Sequence, residues 1–234
     1  VKSQMTLIQN AGETLQNMGV QGGAIYVAGN DTNITGSTFL RCLASNALKG
    51  EGGAIYITGL NTTITGSEFM NCSAPDNGGS IYVSGKNTRV ENSTFNKTSA
   101  EIGGAIYILG SETTIDGSSF VDSSANYRGG AIYIEGLNAH VKYSNFTDSA
   151  VTGGIFNNTN PRGGAIYIKE DNAVVEGSIF NNSAVSTSVG EGGAIYIEGD
   201  YAKILSSEFE NSNAKTGGAI YLEGDSCNVT GSTF

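Results

Sequence analysis

The sequence predicts an all-β fold, a right-handed parallel β-helix of eight coils with about 25 residues each. Three observations carry that prediction. A Gly-Gly-Ala-Ile-Tyr pentapeptide recurs along the chain, a Ser-x-Phe motif follows it in every unit, and the apolar residues between them alternate with a period of two. Alternation at two residues is strand geometry rather than helix geometry.

The pentapeptide begins at Gly22, Gly52, Gly103, Gly129, Gly163, Gly192 and Gly217, with a further copy at Gly78 that carries Ser80 in place of Ala. The differences between successive first glycines are 30, 26, 25, 26, 34, 29 and 25. The basic unit is therefore about 25 residues long, a period in the solenoid range. Three units take small insertions. Within the pentapeptide element the aliphatics Ile25 and Val27 are the expected inward pair, which turns Ala24 and Tyr26 outward. A slip of one residue would reverse both assignments.

The second element is a small residue, a spacer and a β-branched residue: Thr32 with Ile34, Thr62 with Ile64, and so on to Cys227 with Val229. The third is Ser-x-Phe, ending at Phe39, Phe69, Phe95, Phe120, Phe146, Phe180, Phe209 and Phe234. Three residues beyond Phe comes another small residue, from Cys42 and Cys72 to Ser183 and Ser212. The Phe, β-branched and small columns are expected to point inward. Each unit thus reads as about three short strands punctuated by Gly, Asn and Asp turns. Strands this short cannot bury a face alone, but units stacked about 4.8 Å apart can. Eight units make a rod of roughly 40 Å by that spacing. The insertions Val151–Asn160 and Val185–Gly190 should loop out at one corner.

Competing architectures fail on the same residues. The 34 glycines lack the period of three that collagen needs. There is no leucine pattern for a leucine-rich repeat, and a propeller blade needs about 40 residues. No apolar run approaches the ~18 residues of a spanning helix. With 12 basic and 22 acidic residues the net charge is −10, which argues against nucleic acid as a partner. The expected organisation is one solenoid over residues 1–234, a segment of a longer rod. Ser3-x-Met5 reads as a first Ser-x-Phe with Met for Phe, and no polar cap is evident at either end.

The search for chemistry yields few candidates. Asp122 and Asp148 share a column on adjacent units, at a spacing of about 5 Å that suits paired carboxylates. The same column holds Asn71, Lys97, Asn182 and Asn211, which reads as a polar turn ladder. Glu135, Lys169, Glu198 and Glu223 form a mixed column, expected to be a solvated face. The one histidine, His140, sits at an outward position and cannot build a zinc site or a triad with its neighbours. Phosphate-loop, dinucleotide and calcium-repeat fingerprints do not occur. No catalytic, cofactor-binding or metal residue is therefore assigned, and no cofactor is expected.

Three features remain open. Tyr26, Tyr56, Tyr82, Tyr107, Tyr133, Tyr167, Tyr196 and Tyr221 recur at one phase. If outward, they are a contact stripe for sugar rings or a protein surface; the alternative is a ladder that stabilises itself by stacking or points inward. Cys42 and Cys72 share an inward column on consecutive units, which allows a disulfide or two stacked thiols. Asn-x-Ser/Thr acceptors for glycosylation occur at Asn30, Asn33, Asn61, Asn71, Asn92, Asn96, Asn145, Asn157, Asn181 and Asn228.

Over its whole length the chain resembles the repeats of adhesin-like β-helix surface proteins, namely the archaeal adhesin-like proteins and the polymorphic outer-membrane protein repeats of chlamydiae. The Gly-Gly-Ala-Ile motif carries the resemblance in seven of the eight units. The Phe-x-x-Asn half of the chlamydial pattern departs here, since the third residue after Phe is Cys, Thr or Ser, and this favours the archaeal variety. The resemblance implies an extracellular, non-enzymatic protein of the cell surface or envelope, an adhesin or a structural filament component. Its expected partners are cell-surface glycans or proteins, or copies of itself meeting end to end or laterally. A polysaccharide-active or glycan-binding β-helix is the alternative.

Overall fold

The computed structural model describes residues 4–5, 18–45, 49–153 and 160–234. All its regular elements are short strands in parallel register, wound as a β-solenoid. Among the described residues no helix is long and apolar enough to cross a membrane. The first face stacks eight strands, from Ile25–Val27 to Ile220–Leu222. The second stacks nine, starting with Gln4–Met5 and Asn33–Thr35 and ending with Asn228–Thr230. The third stacks seven, from Thr38–Leu40 to Glu208–Glu210.

A fourth face corrects the expectation of three strands per unit. It contains Ser99–Ile102, Ser124–Arg128, Ala150–Val151 and Ala184–Val185. Its strands are short, and below Ser99 it continues as single bridges through Ser73 to Leu43, where Leu43–Ala44 pairs with Met18–Gly19. Small side chains pack a separate inner layer there, of Ala125, Val151 and Val185. Nothing in the sequence period distinguishes these residues from a turn.

Each coil bends at four corners, and each corner is a residue in the left-handed backbone region. In one coil these are Gly103 (φ 63°), Glu112 (φ 61°), Gly117 (φ 55°) and Asp122 (φ 52°). Asp and Asn tolerate this conformation better than most residues, which explains their frequency at the corners. The insertion after Val185 lies at the corner leading back to Gly192, as expected. Most of the insertion after Val151 lies outside the described residues.

The inward columns are as predicted for Phe, the β-branched residues and the small residues, which are buried through the body of the stack. Phenylalanine rings stack along the axis at 4.7–5.1 Å with interplanar angles of 1–8°. Ala24, in the first coil, is exposed as expected, but through the body of the stack the alanine of the pentapeptide does not face outward. Ala54, Ala105, Ala131, Ala165 and Ala194 join the main core. The reason is a bulge repeated in every coil: the N–H groups of both Ala54 and Ile55 donate to the carbonyl of Ser80, and the N–H groups of Ala105 and Ile106 both donate to Ala131. Two consecutive side chains thereby turn inward, and alternation resumes at Tyr.

The serine of Ser-x-Phe has a role that spacing alone does not reveal. It is buried, and its hydroxyl accepts the N–H of the serine one coil earlier while donating to the carbonyl two residues before it. The line runs Ser37, Ser67, Ser93, Ser118, Ser144, Ser178, Ser207 and Ser232, at 3.1–3.2 Å between coils. A hydroxyl is the smallest group able to satisfy both partners at a buried site.

One smaller expectation is also corrected. Met5 pairs with Ile34, so it occupies the β-branched column and not the phenylalanine column. Of the two arrangements the sequence leaves open for Cys42 and Cys72, the structure has two buried thiols stacked in neighbouring coils. The bond between the two thiols, reinforced by burial, pushes the Cys72 pKa far up and keeps it protonated.

Candidate functional site

The pentapeptide face carries the densest group of titratable side chains. Its tyrosines point away from the core, because Ile25, Val27 and their equivalents occupy the opposite side of the same strands. The rings form one continuous stack, with centroids 4.7–5.4 Å apart from Tyr26 to Tyr221. Outward is not the same as accessible. Tyr26 is 54% exposed, but Tyr133, Tyr167 and Tyr196 are 4%, 1% and 0% exposed. Of the two readings the sequence leaves open, the structure has the self-stacked ladder: through most of it the ring faces stack on each other and the edges are covered.

Two flanking columns supply the cover. One is the residue just before each glycine pair, in register as Gln21, Glu51, Asn77, Ile102, Arg128, Arg162, Glu191 and Thr216. Near the start of the stack Glu51 accepts hydrogen bonds from Gln21 and Asn77, each at 3.3 Å. In the middle Ile102 packs on the rings. Further on, the Arg162 guanidinium lies 4.4 Å from the Tyr196 ring centroid and bonds Glu191 at 2.9 Å and Glu198 at 2.7 Å. Arg128 lies 5.4 Å from the Tyr167 centroid.

The other flank is the column two residues beyond Tyr. The Lys169 amino group donates to Glu135 at 2.8 Å, and the Tyr133 hydroxyl donates to the other oxygen of Glu135 at 3.3 Å. Tyr167 donates to Glu198, and Tyr196 to Glu223. Glu135, Lys169, Glu198 and Glu223 are thus engaged with the tyrosines, where the sequence suggested a solvated face. Arg162 ties two successive coils into one network, from Asn160 through Glu191 and Glu198 to Tyr167. Arg128 and Arg162 carry no signal in the sequence, because a residue before Gly-Gly reads as a turn until its register beside Tyr is known.

This environment holds the phenols in their neutral form. Burial pushes up the pKa values of Tyr82, Tyr107, Tyr133, Tyr167 and Tyr196, and adjacent carboxylates add to it. Burial also works against the charge of Arg162, but Tyr196 and Glu191 outweigh it and raise its pKa. Asp76 and Glu101 are raised chiefly by burial.

The phenols set a pH dependence. The folded pKa exceeds the unfolded value of about 10, so the folded state retains protons that the unfolded chain releases above that pH. Their contribution is complete below pH ~10 and is lost as the pH rises through the folded values. We expect unfolding midpoints in urea to fall steadily above pH ~10, and Tyr167→Phe to flatten part of that fall. An alkaline limb of equal slope in wild type and variant, measured by circular dichroism, would refute the assignment.

The other sequence candidates are dispersed. Asp122 and Asp148 are left-handed corner residues, and Asp148 accepts a hydrogen bond from Asn182, as a turn ladder requires. His140 is 3.5 Å from Glu176 on the second face, away from the tyrosine face. Of the glycosylation acceptors, Asn33 and Asn145 lie on outward strand positions, and Asn61, Asn71 and Asn92 lie at exposed corners. Asn30, Asn96 and Asn181 precede hydroxyl residues that are buried: Thr32, Thr98 and Ser183. Asn228 accepts a hydrogen bond from Thr230 at 2.8 Å. Asn157 lies outside the described residues.

A family model described as a right-handed beta helix region matches residues 53–234. Neither the curated proteins nor the solved structures contain a match.

Proposed function

The chain belongs to the right-handed β-helix family, and from that premise we propose that it acts as a stiff, non-enzymatic scaffold outside the cell. On this reading it is a segment of a longer rod at the cell surface or in the envelope, an adhesin or filament component. Its partners are cell-surface glycans or proteins, or further copies meeting it end to end or side by side.

One observation carries this reading. The groups best suited to acid–base chemistry are consumed by contacts that hold coils together. Arg162 is divided between Glu191 and Glu198, Glu198 also accepts from Tyr167, and Glu135 is shared by Lys169 and Tyr133. Side chains tied up along the axis stiffen a rod and are poorly placed to follow a reacting substrate. The resemblance to adhesin-like repeats agrees with this use, and repetition would let weak single contacts add up to avidity.

The test uses intact cells and purified protein. Protease added outside the cells should remove the chain, and electron microscopy of the protein should show rods. No reducing ends should appear from polysaccharides. A chain protected inside the cell would end the surface reading. Reducing-end release abolished by Glu198→Gln or Asp148→Ala would replace the scaffold with a polysaccharide-active enzyme.

A further inference from the structure

The corner between the second and third faces is left-handed in every coil, and glycine fills it at Gly36, Gly66, Gly117, Gly177 and Gly231. At one level the residue is Tyr143, with φ 50°. A bulky side chain is uncommon in this region, and such an outlier often marks a functional position. The ring of Tyr143 lies across the corner of the next coil. A Cβ built on Gly177 would sit 2.7 Å from both Cδ1 and Cε1 of that ring, so the ring is seated directly on the glycine. One face is thus supported, yet the residue remains 57% exposed.

The surroundings are mixed in a way that suits one ligand class. Ile179, 42% exposed, lies in the same coil as Gly177. The Lys142 amino group is 5.9 Å from the ring centroid and 3.0 Å from Asp116. Glu176 lies beside Lys142 in strand register. A ring that is more than half exposed, with an amino group over it and carboxylates close by, matches a pyranose ring, whose C–H face is apolar and whose rim is hydroxyl. With a net charge of −10, the chain repels polyanions.

We propose that Tyr143, seated on Gly177, is a stacking platform for one pyranose residue of a neutral glycan. The exposed ring contrasts with the tyrosines of the pentapeptide face, whose rings are already occupied by each other. The inference rests on the reading of the chain as a surface rod, since that is where a glycan would be met.

The test is calorimetric titration of the whole chain with cellohexaose and chitohexaose, with oligogalacturonate as the acidic control. At least one neutral oligosaccharide should bind, with saturation-transfer contacts on the Tyr143 ring. Tyr143→Phe should keep the affinity within about threefold, and Tyr143→Gly should weaken it about tenfold or more. Tyr143→Gly should leave Tm unchanged or raise it, because glycine is the usual residue at this corner. A fall in Tm would make the ring a structural brace and overturn the site. So would failure of both neutral sugars to bind, unchanged binding by Tyr143→Gly, equal binding of oligogalacturonate, or self-association through the ring. Surface exposure without neutral-glycan binding ends this site and leaves the rod, whereas Tyr143-dependent binding by an intracellular chain does the reverse.

Discussion

Gly104→Ala is expected to split the stack at the level of its own coil. The added Cβ would lie 2.0 Å from the carbonyl oxygen of Gly130 and 2.4 Å from that of Ser124, both backbone atoms of the following coil. Neither can rotate away. The coils must separate by about an ångström or more to reach ordinary contact distances. The phenylalanine, tyrosine and serine ladders cross that same level, so all three are disrupted together. In a solenoid each coil depends on its neighbours, and the loss falls on an interface term as well as a local one. A cost above about 4 kcal/mol is expected, in the range reserved for severe steric conflict. Urea unfolding followed by circular dichroism measures it. Gly66→Asn is the control: Gly66 has a positive φ of 57°, which Gly104 lacks, and nothing lies within 4 Å of an added Cβ there. Asn92 occupies the equivalent corner naturally. The control should cost about 1 kcal/mol or less. Similar losses in both variants would show that close approach is not what dictates the glycine at 104.

The second large effect is Phe120→Ala. Phe120 is fully buried and stacks on Phe95 at 4.7 Å and on Phe146 at 4.8 Å, each within 3° of parallel. Truncation removes the apolar burial of one ring and leaves a cavity between two others that the repeat spacing holds apart. The coils cannot close that gap without breaking their backbone ladders, so relaxation is limited. The expected loss is about 3–5 kcal/mol. At about 2–4 °C per kcal/mol for a chain of this size, Tm should fall by about 6–20 °C. Phe120→Leu refills much of the volume and should lose clearly less. A loss below about 1 kcal/mol for the alanine variant would mean that the column does not carry the core.

Much of this fold is readable from spacing, for reasons visible at single positions. Phe120, Ile115 and Ser123 are inward because strand alternation places them so. Alternation fails at Ala105, where two N–H groups converge on one carbonyl. That bulge depends on the neighbouring coil, so the period alone puts Ala on the wrong side and Tyr107, one step beyond Ile106, on the right one. The fourth face escapes the period because strands such as Ala184–Val185 are too short to show one. The candidate site is legible only in part. The tyrosine column stands out in the sequence, but Arg162 joins it only once register sets it beside Tyr196 of the next coil.

The sequence by itself determined the repeat, the parallel stack and the identity of most inward columns, because those follow from periodicity and from the few residues a corner accepts. Tertiary structure decided what is accessible. Which tyrosines are covered, which carboxylates are paired and which ring stays open depends on side chains from successive coils, distant in the chain, meeting at one height. A repeating sequence places every tyrosine alike. The differences arise from the non-repeating neighbours that the stack brings against each one, Arg162 against Tyr196 and Gly177 beneath Tyr143.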